Sequence, residues 1–191
     1  MTPMRLELES MAIAMPEVAG HPNREPFRGV LTLVDVTSDR APAGARGHRV
    51  VLTRAAAETA LPSLLGMALD YAPSLDRHDV RRKVGVITRA EIVSRQVELG
   101  GYLFAKDFPE IVCEIARAKL QELSRSSSER LEAGSEPANS RRGLGMSYEI
   151  TDARVADLRA KVWTLTQVTF TGAAILRRDK AAYQNTWIEL D

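Results

Sequence analysis

The chain reads as a mixed α+β fold with roughly six to eight short strands and two or three helices. Three observations predict this. Several segments are rich in β-branched residues or alternate apolar and polar residues at period two. Few stretches carry helix formers at helical spacing. Strands and helices also lack the regular alternation that a parallel sheet requires.

From Val18 to Pro26, Gly20, Pro22 and Pro26 stand among polar residues. Residues 1–26 therefore read as a flexible N-terminal arm, and 27–191 as a single domain. Gly29 to Val36 is a β-branched run followed by breaker-rich sequence from Ser38 to Gly47, so it reads as a strand and a loop. His48 to Thr53 reads as a second strand. Arg54 to Leu65 carries helix formers, with Pro62 and Gly66 making that helix short or broken. Tyr71 to Lys83 is polar and charged, a loop.

Val84 to Val93 and Arg95 to Phe104 read as a hairpin, the second strand alternating Val97 and Leu99 with Gln96 and Glu98. Asp107, Pro109 and Glu110 then predict a capped helix start, and the helix runs to about Leu123. Phe108, Ile111, Val112, Ile115 and Leu123 fall near one face of it. Cys113 lies near that face and reads as a small buried hydrophobe. Ser124 to Arg142 has a serine run, Gly134, Pro137 and one isolated Leu131, the composition of a mobile loop.

Leu144 to Ile150 alternates again. As a strand it points Leu144, Met146, Tyr148 and Ile150 into the core and leaves Ser147 and Glu149 on the other face. Lys161 to Val168 and Thr169 to Leu176 add two β-prone segments ahead of a polar tail. Trp163 and Trp187 read as packing residues.

Composition narrows the function. In 191 residues, 26 Lys and Arg oppose 25 Asp and Glu, a formal charge of +1, which argues against a whole-protein electrostatic grip on nucleic acid. The basic run Arg81-Arg82-Lys83 has no interleaved aromatics for base stacking and reads as a solvated loop. A single cysteine cannot staple the fold internally and suits a reducing compartment. No signal-like start and no run of about 18 apolar residues is present, so a soluble intracellular protein is expected, with no membrane partner. Zinc-type Cys/His spacing and a Gly-rich phosphate loop are missing, so neither a metal nor a nucleotide cofactor is expected.

Two residues stand out for chemistry. His78 lies in Asp76-Arg77-His78-Asp79, where an imidazole beside carboxylates can serve as a general base. A solvated loop histidine is the ordinary reading of such a motif, and it applies more strongly to His48 and His21. Ser147 lies on the non-core face of a β-prone segment, two residues after Gly145. A hydroxyl there is a nucleophile only with a base beside it, and otherwise a surface serine.

The order of motifs adds to this. His78-Asp79 in a loop, Val84-Gly85-Val86-Ile87, a strand pair, a helix, a variable loop, Leu144-Gly145-Met146-Ser147-Tyr148-Glu149, and then Leu165 to Ala174 with Gly172-Ala173-Ala174 resemble the tailed-phage prohead maturation proteases. That family is similar in fold to the herpesvirus assemblins. The resemblance runs from about Phe27 to Tyr183. It implies a mostly antiparallel β-barrel with two or three flanking helices. It also implies a serine endopeptidase that trims a major capsid protein or scaffold segment inside the immature capsid, in the host cell cytoplasm. By that resemblance His78 is the base and Ser147 the nucleophile. The family pattern carries Glu where this chain has Gln167, which cannot supply a negative charge. Glu149, His48 and Asp79 are then the candidates for a third, orienting member. A non-proteolytic assembly protein of the same fold is the rival expectation, and a homo-oligomer is compatible with either.

Overall fold

A computed structural model of the chain describes residues 5–7, 9–10, 13–14, 20–129 and 143–191. Among the described residues eleven strands form in chain order: β1 (Arg5–Glu7), β2 (Glu9–Ser10), β3 (Ile13–Ala14), β4 (Glu25–Leu33), β5 (Arg49–Leu52), β6 (Ala68–Tyr71), β7 (Lys83–Val93), β8 (Gln96–Leu103), β9 (Leu144–Val155), β10 (Val162–Arg177) and β11 (Trp187–Leu190). Helices α1 (Arg54–Ala60) and α2 (Pro109–Glu129) complete the α+β set, with a 3-10 turn at Leu61–Leu64. Thr53 caps α1 by accepting from the Ala56 amide at 3.2 Å. Pro62 and the positive φ of Gly66 end the helical path where the sequence predicts a break.

One mixed sheet dominates, in the order β11-β4-β8-β7-β6-β10-β5, with β1 added on β7 and β9 on β10. Its pairs are antiparallel except β10 with β5 and β10 with β6, which are parallel. The sheet is open, which corrects the expected barrel. Among the described residues β11 pairs only β4 and β5 pairs only β10 as named strands, so no ladder joins the two ends. Strands β4 and β9 meet through side chains instead. Gly29 of β4 lies so close to Met146 of β9 that an added Cβ would stand 2.9 Å from its sulfur.

Other boundaries also differ from expectation. Strand β4 begins at Glu25, and the Asn23 side chain donates to Asp107 Oδ2 (2.8 Å) and accepts from the Lys106 amide (2.8 Å), so the domain takes in residues assigned to the arm. Arg5–Glu7 pairs with Glu91 to Arg89 of β7. Helix α2 continues through Glu129, past the predicted loop start at Ser124, and the rest of that loop, 130–142, lies outside the described residues. The two β-prone segments after Lys161 are one 16-residue strand, β10. Strands β6 and β11 are additional to the sequence expectation.

Met146 and Phe170 are 1% and 2% exposed, and Tyr148 meets Phe170 edge-on at 5.5 Å, so the even positions of β9 face the core as predicted. Ile111 and Ile115 seal one side with the buried stripe of α2. The odd positions of β9 lie on the opposite face, and that face carries the candidate site.

Candidate functional site

Strand β10 organises the site. Ala174 is the partner of Asp70 on β6 and also the partner of Ser147 on β9. Directly paired residues in a sheet project to the same face. Asp70, Ala174 and Ser147 therefore form one row, with the small alanine in the middle. In the adjoining row Gly172 is the partner of Glu149, and a Cβ at Gly172 would lie 2.8 Å from Glu149 Oε2. The Glu149 carboxylate thus folds across the strand over a bare backbone. Gly172 and Ala174 make a shallow floor with acidic groups and a hydroxyl around it.

His78 comes to this floor on the loop 72–82, which links β6 to β7. The loop is fixed at several points. The Leu75 amide donates to the Ala72 carbonyl at 2.8 Å, and the Arg177 amide of β10 donates to the Leu75 carbonyl at 2.8 Å. The Asp79 amide donates to Asp70 Oδ1 at 3.1 Å. At the loop base the Tyr71 hydroxyl donates to Glu110 Oε1 of α2 (2.7 Å) and accepts from Arg82 (3.1 Å), whose guanidinium also lies over the Tyr71 ring. The histidine is delivered by a braced loop.

Its side chain is 16% exposed, with Nδ1 3.6 Å from Asp70 Oδ2 and 3.7 Å from Glu149 Oε1. Both distances are just beyond hydrogen-bond length. Neither ring nitrogen has a hydrogen-bond partner among the described residues, although both are buried. Buried polar atoms are normally satisfied, so an imidazole held this way beside two carboxylates is open to a further partner.

Asp70 is fully buried. Burial pushes its pKa up, but neighbouring His78, the Asp79 amide and the Lys83 ammonium, 3.3 Å from Oδ2, outweigh that effect and hold it below the usual carboxylate range. It is therefore an ionised carboxylate inside the sheet. Tyr71 is pushed up to about 12 by burial and by its hydrogen bond to Glu110.

No family model, curated protein or solved structure matches this chain. The geometry alone bears on the site.

Of the residues singled out in the sequence, His78 and Glu149 meet directly, and Ser147 stands in the Asp70 row on the same face of the sheet. Ser147 is partly buried and its hydroxyl makes no hydrogen bond to His78. Asp79 is present through its backbone amide, while its carboxylate accepts from the Arg81 amide and closes a local turn, so it does not orient the imidazole. His48 is elsewhere. It stacks on Trp163 with centroids 4.5 Å apart, and its Nδ1 lies 3.4 Å from the Lys161 carbonyl oxygen, which removes it as a third member. His21 accepts from the Asn23 amide through Nδ1. Gln167 pairs with Arg154, well up β10 from Ala174, so no side chain at that register reaches the row.

Two readings need correction. Cys113 is exposed, because it sits two residues from Ile111 and two from Ile115 and so turns away from their shared stripe. Within the basic run, Lys83 pairs with Asp70 and Arg82 stacks on Tyr71, so neither is only a solvated charge. Among the described residues no group of three or more His, Cys, Asp or Glu is arranged to hold a metal ion, and no helix is long and apolar enough to cross a membrane. Asp70 is the residue that sequence reasoning missed. Its available signal was a lone acid in the short run Ala68-Leu69-Asp70-Tyr71.

Proposed function

We propose that the chain is a serine endopeptidase of the prohead maturation type, in which Ser147 attacks the scissile carbonyl and His78 takes its proton. The observation that carries this reading is the shared face. Ser147, the unpartnered imidazole of His78 and two carboxylates surround a floor reduced to Gly172 and Ala174. The motif order supplies the substrate class, a capsid or scaffold segment bound as an extended peptide.

The chemistry follows from these groups. As the Ser147 oxygen bonds to the carbonyl carbon, its proton passes to His78. The resulting imidazolium is stabilised by the adjacent carboxylates and later protonates the leaving amine. Water then hydrolyses the acyl-serine with His78 as base. The free chain does not make the Ser147 to His78 hydrogen bond, and such bonds often form only when substrate is bound.

A test is co-expression with a tailed-phage major capsid precursor. Cleavage by the parent chain and its loss in Ser147→Ala and His78→Ala, with folding retained, is the expected result. Retained cleavage in either variant removes that residue from the mechanism. The missing Ser147–His78 hydrogen bond favours one rival, an inactive assembly protein of the same fold. A serine-directed phosphonate separates the two: labelling of Ser147 supports the enzyme, and a folded chain that takes no label supports the binder.

A further inference from the structure

Resting on the reading of Ser147 and His78 as a nucleophile and base, we infer that Asp70 is the positioning residue of the pair, the carboxylate that holds His78 with its Nδ1 protonated and its Nε2 free for the serine.

The first argument is spatial. Asp70 and Ser147 flank Ala174 across two strand spacings, roughly 10 Å between backbones. A hydroxyl–imidazole–carboxylate chain fills such a gap when each hydrogen bond is about 3 Å long. Ala174 leaves the slot between them open, and His78 enters it from the loop above.

The second argument concerns the cost of the carboxylate. An acid buried in an interior strand is rarely a net gain over an apolar residue. Besides its ion pair with Lys83, Asp70 accepts the Asp79 amide through Oδ1, and an asparagine oxygen would serve there equally. The negative charge is directed through Oδ2, which faces His78 Nδ1 and Lys83 Nζ. Lys83 is 41% exposed on its side chain, so water can take over its charge, whereas the histidine nitrogen has no other buried anion as firmly fixed.

The third argument sets Glu149 aside. It is nearly as close to Nδ1 as Asp70, but its side chain is 43% exposed, and among the described residues no backbone amide pins it as the Asp79 amide pins Asp70. A screened, rotatable carboxylate orients a ring less well than a buried one pinned by a backbone amide. Gln167, where the resembled family carries its acid, is out of reach.

Asp70→Asn keeps the acceptor for Asp79 and removes the charge, and Glu149→Gln is its comparison. With labelling by a phosphonate and peptide cleavage as readouts, D70N is expected to lower kcat by about 10³ to 10⁴ with KM little changed. E149Q also removes a charge beside the imidazolium and is expected to lower kcat far less than D70N, by no more than about tenfold. A D70N chain that keeps its unfolding transition and loses less than about tenfold overturns the assignment, as does a larger loss in E149Q. Long-range nitrogen–proton NMR of the imidazole reads the same point without any catalysis. His78 should be the Nδ1–H tautomer in the parent and in E149Q, and shift toward Nε2–H in D70N. An unchanged tautomer in D70N overturns the assignment. If Ser147 takes no label in the parent while the tautomer responds to D70N, the protease reading fails and the positioning role of Asp70 stands.

Discussion

Asp70 and Ser147 stand opposite the same residue, Ala174, on the two strands that flank it. They are far apart in sequence, and neither touches the other. The geometry of one central strand fixes the gap between them, and the His78 loop closes over that gap. A base and a nucleophile on separate elements are thereby referred to a single backbone.

The middle of the row is accordingly sensitive to size. Ala174 is fully buried. Ala174→Val adds methyl groups between Asp70 and Ser147, and is expected to cost about 1–3 kcal/mol of stability from overpacking. It should also slow phosphonate labelling of Ser147 at least tenfold. Chemical denaturation and a labelling time course check both effects, and unchanged labelling in a folded variant would mean the row is not the working geometry.

Acid should weaken the fold through Asp70. Its pKa in the folded chain is held below the ordinary 3.8. The stabilisation is therefore complete above the unfolded value and fades as pH falls through the lower folded one. Urea unfolding followed from pH 6 down to pH 2 should show a loss below about pH 4 that is reduced in Asp70→Asn. An identical acid limb in both proteins would show that other carboxylates dominate.

At the alkaline end the brace at the loop base gives the opposite limb. The Tyr71 phenol is raised from 10.0 to about 12, so the folded chain keeps it neutral where the unfolded chain ionises. The contribution is present below pH 10 and is lost as pH climbs toward 12. Tyr71→Phe removes the hydrogen bonds with Glu110 and Arg82 and should cost about 1 kcal/mol at neutral pH. It should also flatten the dependence between pH 10 and 12, measurable by thermal unfolding in that range.

Cys113 should react in the folded protein. Because it is exposed on α2, a disulfide reagent is expected to titrate one thiol at close to the rate of the denatured chain. Marked protection, relieved only by denaturant, would indicate that something covers that side of the helix.

Local chemistry made much of the sheet legible. Two adjoining β-prone runs, the second with clear alternation, announced the β7–β8 hairpin, and Ser94 turns it with a positive φ of 54°. Strand β9 was legible for the same reason, and with it the shared face of Ser147 and Glu149. Strand β6 was not. It has four residues, one of them an acid, and it exists because β7 and β10 pair with it from both sides. Asp70 was invisible with it, since its importance lies in a register shared through Ala174. The end of α2 was misjudged because the serine run is only a weak helix breaker, and the segment continues the preceding turns. Openness of the sheet depends on which strands leave their outer edges unpaired, which composition does not encode.

A pleated ladder admits only whole-residue settings, and the row over Ala174 inherits that property. If β9 slid by one residue along β10, Met146 or Tyr148 would be brought opposite Ala174 and the hydroxyl would turn to the other side of the sheet. A slide of two would bring Gly145 or Glu149 there, on the right face but with no nucleophile. The site has no partly aligned form: it is either in register or absent, and the bulge between Phe170 and Gly172 lies at the step where that choice is made.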